Sequence, residues 1–178
     1  MTALIRIDRS WTPTGPKRSK PIRFCSRCGQ PSEEPASSLP RPGLRITDGS
    51  RRVCMHCGLG LMLTCARDAM PGAGAAFLIV NFDLSVSAVS EAGEKMFGPE
   101  EALTGAPFMD LVTSPLGDEG LARTVSQAAQ RACDPVVMPV RLRSERARSI
   151  GTLAGRIATC GPPRAALVTV EPSEFGRR

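Results

Sequence analysis

The stretches Cys25-Ser-Arg-Cys28-Gly29 and Cys54-Met-His-Cys57-Gly58 decide how the first part of this 178-residue chain folds. The two cysteines of each pair are three positions apart, and 25 residues separate the pairs. A short turn inside each pair directs both sulfurs at one ion, and the following glycine lets the backbone bend behind it. Four thiolates in this arrangement predict a tetrahedral structural metal site formed by Cys25, Cys28, Cys54 and Cys57, with zinc as the favoured metal.

Two alternative interpretations of these cysteines stay open. The pairs also resemble those of rubredoxin, an iron-bearing electron carrier, so a redox role competes with the structural one. Rubredoxins are usually acidic and rich in aromatic residues, whereas this segment is basic and the chain has no tyrosine. A disulfide framework is the weaker alternative, because seven cysteines without a secretion signal are typical of reduced thiols in a cytoplasm.

The net charge of +6 is concentrated in the N-terminal part of the chain. Residues 1–70 carry a net charge of +7, and residues 71–178 carry −1. A basic segment predicts contact with nucleic acid or with an acidic protein surface, although a solvated arm would have the same composition. The candidate contact residues are Lys17, Arg18, Lys20, Arg23, Arg27, Arg51 and Arg52.

Three segments are predicted before residue 75. Residues 1–21 show no hydrophobic period and predict a disordered basic tail. A hairpin from Leu44 to Val53 would bring the second cysteine pair beside the first. The apolar spacing between Leu59 and Met70 predicts a helix over residues 59–70, which would link the module to the rest of the chain. Residues 22–70 thus resemble a zinc-ribbon or treble-clef module, bounded by Pro71-Gly-Ala-Gly74.

The following residues alternate between strand and helix patterns. Strands are predicted over residues 77–82, 85–89, 136–143, 150–160 and 164–171. Between them, Ser90 is a good cap for a short helix, short helical turns follow at residues 100–103 and 107–112, and Asp118 would cap a helix over residues 119–132.

This order of elements resembles a PAS domain over about residues 75–172. The resemblance lies in Val80-Asn-Phe-Asp83, in the segment from Val89 to Gly98, and in the segment from Glu100 to Phe108. It implies an α+β fold with a five-stranded antiparallel sheet and short helices on one face, beside the small N-terminal zinc-knuckle module. It also implies a domain that senses a signal or binds partners, often as a homodimer.

The residues argue against the known PAS cofactors. The only histidine, His56, lies inside the second cysteine pair, so haem lacks an axial ligand. The stretch that matches the flavin-bonding helix of light sensors contains no cysteine. A small apolar ligand is one interpretation of the apolar side chains, and simple core filling is the other. The candidate pocket residues are Phe77, Ile79, Met96, Phe97, Phe108, Met109, Leu121, Val125 and Met138.

No pattern of catalytic residues stands out, because a single histidine leaves no Ser-His or Cys-His pair outside the metal site. No apolar run is long enough to span a bilayer. We therefore expect a small cytoplasmic bacterial signalling or transcription-regulatory protein, not an enzyme, whose zinc module is coupled to a PAS sensor or interaction domain. Its expected partners are a second copy, another protein or nucleic acid. The alternatives are a rubredoxin-like electron carrier fused to PAS and a structural adaptor that senses nothing.

Overall fold

The structure is a computed structural model that describes residues 19–32, 52–131, 133–144 and 150–172. Its nine strands are β1 Pro21–Cys25, β2 Pro31–Ser32, β3 Met62–Ala66, β4 Ala76–Val80, β5 Val86–Val89, β6 Val112–Thr113, β7 Val136–Leu142, β8 Leu153–Gly161 and β9 Ala165–Pro172. Its helices are α1 Glu91–Phe97, α2 Glu100–Leu103, α3 Phe108–Leu111 and α4 Asp118–Gln130, and a 3₁₀ turn covers Arg67–Ala69.

One antiparallel sheet runs through the described residues in the order β2-β1-β3-β8-β9-β4-β5. Strand β7 pairs with the first half of β8 and also with β6. Strand β3 pairs with the end of β8 through two register pairs, Thr64 with Gly161 and Cys65 with Cys160. The strands that carry the cysteine segment are therefore a continuation of the main sheet.

The predicted fold class is wrong in its central feature. The described residues do not form a five-stranded PAS sheet beside a separate module, but a nine-stranded, mostly antiparallel sheet with few helices. The physical reason is that β3 satisfies its backbone groups on both edges, against β1 on one side and β8 on the other. The sheet thus crosses the boundary predicted at residues 71–74.

The helix predicted over residues 59–70 is also wrong. Leu63 and Cys65 are buried, whereas Met62, Thr64 and Ala66 are only half-buried, which is the period of two that a strand requires. A short apolar segment can satisfy both periods, and pairing with neighbouring strands decided between them. The linker between the cysteine segment and the remaining chain is therefore a strand followed by a 3₁₀ turn.

The other predicted elements are confirmed to within a few residues, with one exception in the caps. The Ser90 hydroxyl accepts a hydrogen bond from the Gly93 N–H at 3.0 Å, as expected of an N-cap. Asp118, in contrast, is the first residue of α4, and Gly117 occupies the cap position. The predicted hairpin from Leu44 and most of the predicted basic tail lie outside the described residues.

Two apolar clusters pack on opposite faces of β4. Leu78 and Val80 belong to a larger cluster with α3, α4 and the strands β7, β8 and β9, whereas Phe77 belongs to a smaller one beside β1 and β3. Phe24 of β1 meets Phe77 edge to face, with ring centroids 5.9 Å apart. Such a pair contributes about 0.5–1.5 kcal/mol beyond its buried area. The smaller cluster packs the cysteine segment against the main sheet, in addition to the pairing of β3 with β8.

Candidate metal centre

The four predicted ligands meet at one point. The sulfurs of Cys25, Cys28, Cys54 and Cys57 all lie within 4.8 Å of one another. The Cys25 and Cys57 sulfurs are 3.6 Å apart, and those of Cys28 and Cys54 are 3.8 Å apart. Tetrahedral bonds of about 2.3 Å to a metal place two sulfurs roughly 3.8 Å from each other. The four cysteines can therefore hold a metal ion such as zinc, and they are the one group of this kind among the residues that the structure describes.

The two knuckles, residues 25–29 and 54–58, share one backbone conformation. In the first, the Gly29 N–H donates to the Cys25 carbonyl at 3.1 Å, and in the second the Gly58 N–H donates to the Cys54 carbonyl at 2.9 Å. Both glycines have a positive φ, +73° and +70°, which residues with a side chain rarely adopt. The Cys-x-x-Cys-Gly pattern thus dictates the turn that points each pair of sulfurs inward.

Backbone amides surround the sulfurs. The N–H groups of Arg27 and Cys28 donate to the Cys25 sulfur at 3.3 and 3.4 Å. In the second knuckle the Cys54 sulfur accepts from the His56 N–H, and the Cys57 sulfur accepts from the Gly60 N–H, each at 3.4 Å. Hydrogen bonds of this kind orient metal ligands and stabilise the thiolate form.

Gly60 is a site residue that the spacing of the cysteines does not reveal. A Cβ at this position would lie 2.3 Å from the Cys25 sulfur and 2.9 Å from the Arg27 backbone nitrogen. The next residue ties the knuckles together, because the Leu61 N–H donates to the Ser26 hydroxyl and the Leu61 carbonyl accepts from the Ser26 N–H. The small residue at this position is therefore a condition for the close approach of the two knuckles.

The thiols of the cluster differ in their tendency to ionise. Burial raises the pKa of Cys25 to about 12, although the N–H groups of Cys28 and Arg27 act in the opposite direction. Burial opposes ionisation of Cys57 as well, but the Gly60 and Leu59 N–H groups and the neighbouring thiols lower its pKa to about 6. A metal ion between the sulfurs would supply the positive charge that favours the thiolate form of the buried Cys25.

Arg27 joins the first knuckle to helices α1 and α2. Its guanidinium lies 3.2 Å from a Glu94 carboxylate oxygen and 2.5 Å from a Glu100 carboxylate oxygen. Its carbonyl accepts the N–H of Glu91, the first residue of α1, at 2.9 Å. That amide has no partner within its own helix, so the knuckle supplies one. We call this set of contacts the Arg27 clamp.

The predicted basic contact residues are only partly brought together. Lys20 and Arg52 are exposed, and Arg23 is half-buried on β1. Arg27 is held by the two carboxylates of the clamp, so its charge is not available to phosphate. Lys17, Arg18 and Arg51 lie outside the described ranges. A nucleic-acid surface on this module stays a prediction, because three of its seven candidate residues lie outside the described ranges.

The nine predicted pocket residues pack into the core and are divided between its two clusters. Phe77 and Ile79 belong to the smaller cluster, on the face of β4 opposite the larger one. The other seven are members of the larger cluster or pack against it: Met96, Phe97, Phe108, Met109, Leu121, Val125 and Met138. None of the nine lines the open cleft of about 370 Å³ that lies between β3 and the segment after α4. The positions of these nine side chains support the interpretation that they fill the core.

The three remaining cysteines are free thiols in different surroundings. Cys65 and Cys160 are buried and face each other across the β3–β8 register. Cys133 is exposed, and its sulfur lies 3.7 Å from the Thr159 hydroxyl. The cross-strand neighbourhood of Cys65 and Cys160 was not apparent in the sequence, because 94 residues lie between the two positions.

No protein-family model matches this chain. No curated protein matches it at a significant level. The resemblance to PAS domains therefore has no support beyond the residues that suggested it. In the described ranges no helix is long and apolar enough to cross a membrane.

Proposed function

We propose that this protein is a small signalling or transcription-regulatory adaptor in which one zinc ion fixes two knuckles against an antiparallel sheet. The observation that carries the proposal is a four-sulfur cluster whose first knuckle is clamped onto helices α1 and α2. Four thiolates fill a tetrahedral coordination shell and leave no position for a substrate, which is typical of structural zinc. The role of the metal is then to hold a surface in shape, not to perform a reaction.

Zinc is preferred over iron because of the composition of the segment. The chain has no tyrosine and one tryptophan, and its N-terminal part carries the excess of positive charge. A rubredoxin-like electron carrier would be acidic and aromatic-rich. The seven free cysteines suit a reducing compartment, in which zinc thiolates persist, and we place the protein in the cytoplasm on that ground.

The Arg27 clamp gives the metal a route by which to influence the rest of the fold. Residues 59–70 do not form the predicted linking helix, but the first knuckle contacts α1 and α2 directly. Loss of the metal releases the knuckle, and the Glu91 N–H then loses its protein partner. We therefore expect the state of the metal site to set the local stability of α1 and α2.

Hydrogen–deuterium exchange tests this proposal on the full chain. The zinc-loaded protein should protect residues 91–103 more strongly than the protein stripped by a chelator, and residues 118–130 of α4 serve as the internal control. Arg27→Ala should reproduce part of the loss at α1 without releasing zinc. Because the ion pairs of Arg27 with Glu94 and Glu100 are partly exposed, we expect this substitution to lower the free energy of unfolding by only about 0–1 kcal/mol.

The proposal fails if the purified protein contains no metal, or if chelation leaves exchange in residues 91–103 unchanged. An Arg123→Ala variant is the matched control, because Arg123 forms an exposed ion pair with Glu119 on α4, away from the knuckles in sequence. It should leave the exchange of α1 and α2 at the level of the parent protein.

A further inference from the structure

The second knuckle and the residues that flank it carry an unusual density of exposed apolar side chains. Nine large hydrophobic residues are exposed in the described part of the chain, and four of them fall within residues 53–61. We define the knuckle surface as these four: Val53, Met55, Leu59 and Leu61, which are 46%, 72%, 71% and 52% exposed. A soluble surface does not gather large apolar groups in this way unless another surface covers them.

The first knuckle, in contrast, is packed against the rest of the protein. Cys25 and Ser26 are buried, and Gly29 packs so closely on the Phe77 ring that a Cβ would lie 3.3 Å from it. That knuckle is used to attach the cysteine segment to β4 and α1. The second knuckle has the same backbone turn and contributes to the same four-sulfur cluster, but the apolar side chains in and beside it are exposed.

The charges around the knuckle surface indicate what covers it. No aspartate or glutamate occurs between residues 49 and 67. Arg51 and Arg52 directly precede the knuckle surface in the sequence, and Arg52 is exposed. The surface is therefore apolar and basic. A partner that complements it presents apolar side chains together with carboxylates.

We propose that the knuckle surface binds an acidic, apolar segment of another protein. A second copy of the chain is disfavoured, because a symmetric contact brings Arg52 close to its own equivalent. Nucleic acid is disfavoured because exposed apolar side chains such as Leu59 gain nothing from a phosphate backbone, which cationic side chains bind. The inference rests on the proposed function, since the metal is what holds the four side chains in place.

A peptide selection tests the inference. A random peptide library displayed on phage is selected on the zinc-loaded full chain, after depletion on the Leu59→Ser/Leu61→Ser variant. The enriched peptides should combine Asp or Glu with large apolar residues. Synthetic versions should bind the double variant at least tenfold more weakly than the parent, and Arg52→Glu should weaken binding by a similar factor.

Two controls separate docking from folding. Phe82→Ser removes another exposed apolar residue, on the turn between β4 and β5, and should leave peptide binding unchanged. The double variant must retain one metal ion per chain. If it does not, Arg52→Glu, which leaves every ligand and apolar side chain in place, decides the matter alone.

Several outcomes would overturn the inference. The selection could enrich basic peptides or no peptides at all. The parent protein could self-associate in analytical ultracentrifugation while the double variant does not. The protein could also bind duplex DNA in a way that requires Leu59 and Leu61. If the protein contains no zinc, the proposed function fails. If it contains zinc and the selection fails, only the docking surface is wrong.

Discussion

At the scale of single residues, Gly60 is a position beside the four ligands at which a side chain does not fit. An added Cβ would approach the Cys25 sulfur to 2.3 Å, far inside van der Waals contact, so a ligand has to move. Gly60→Ala should therefore weaken metal binding by about 10–100-fold, the range typical of changes to groups that position ligands. Competition with a zinc indicator of known affinity measures this change.

Gly72→Ala is the control for that substitution. A Cβ at position 72 would meet no atom within 4 Å, so metal affinity should match that of the parent protein. Equal zinc affinity of the Gly60 and Gly72 variants would show that the close packing of the two knuckles is not required for binding.

The three cysteines outside the cluster should differ in reactivity by their surroundings. Burial raises the pKa of Cys65 to about 12, helped by the charge of Asp68, and burial together with Cys65 does the same for Cys160. Cys133 is exposed. A maleimide reagent should therefore modify Cys133 first in the zinc-loaded protein, with Cys65 and Cys160 reacting only on unfolding.

Mass spectrometry of labelled peptides measures that order of reaction. A Cys133→Ser variant should show no fast labelling outside the metal site. Rapid modification of Cys65 or Cys160 in the native protein would contradict the close pairing of β3 with β8.

At the scale of elements, the beginning of α4 is held by Asp118. Its carboxylate accepts from the Thr113 hydroxyl and the Ser114 N–H and lies 2.6 Å from the Arg143 guanidinium. The Thr113 bond first, then the Ser114 bond and the Arg143 charge, lower the pKa of Asp118. A carboxyl group with a lowered folded-state pKa adds stability above its unfolded-state pKa, and this stability is lost as the pH falls through the folded-state value.

Asp118→Asn should therefore lower the melting temperature at pH 7, and the difference from the parent should shrink as the pH falls below about 4. Glu119→Gln is the control, because Glu119 is 88% exposed and its ion-pair partner among the described residues is Arg123 on its own helix. Thermal unfolding followed by circular dichroism at several pH values measures both. A difference that persists unchanged into acid would show that the ionised carboxylate is not what holds the helix start.

Prediction of the elements succeeded where the signal was local and failed where the pairing of distant strands decided. Ser90 and the apolar run of β4 identify themselves, since a cap and a buried strand need only neighbouring residues. The segment from Leu59 to Met70 does not, because its apolar spacing is compatible with a helix until β1 and β8 are placed beside it. The hydrogen bonds available at those two edges, and not the propensity of the segment, selected the strand.

The metal site shows the same division. The four ligands could be read from the sequence, because a thiolate turn is specified by four adjacent residues and a glycine. The Arg27 clamp could not, because its carboxylates come from positions 67 and 73 residues further along the chain. The second glycine in Cys57-Gly-Leu-Gly60 was the available signal for Gly60, and the first knuckle has no equivalent.

At the scale of the whole molecule, the metal centre lies at the start of one continuous sheet. Strands β1 and β3 belong to the cysteine segment, and β3 also pairs with β8, where Cys65 lies opposite Cys160. The smaller apolar cluster packs the same segment against β4, and the Arg27 clamp joins it to α1 and α2. A metal ion at this position would therefore stabilise a part of the fold that is joined to the rest by several contacts.

The most direct test of the account is the metal content of the purified protein, measured by elemental analysis together with its visible absorption. The account predicts a colourless protein with one zinc ion per chain, retained by a Cys133→Ser variant and lost by Cys57→Ser. Iron in equal amount, with a red colour from thiolate-to-iron bands, would contradict the structural-zinc assignment. A folded protein that contains no metal would contradict the metal centre itself.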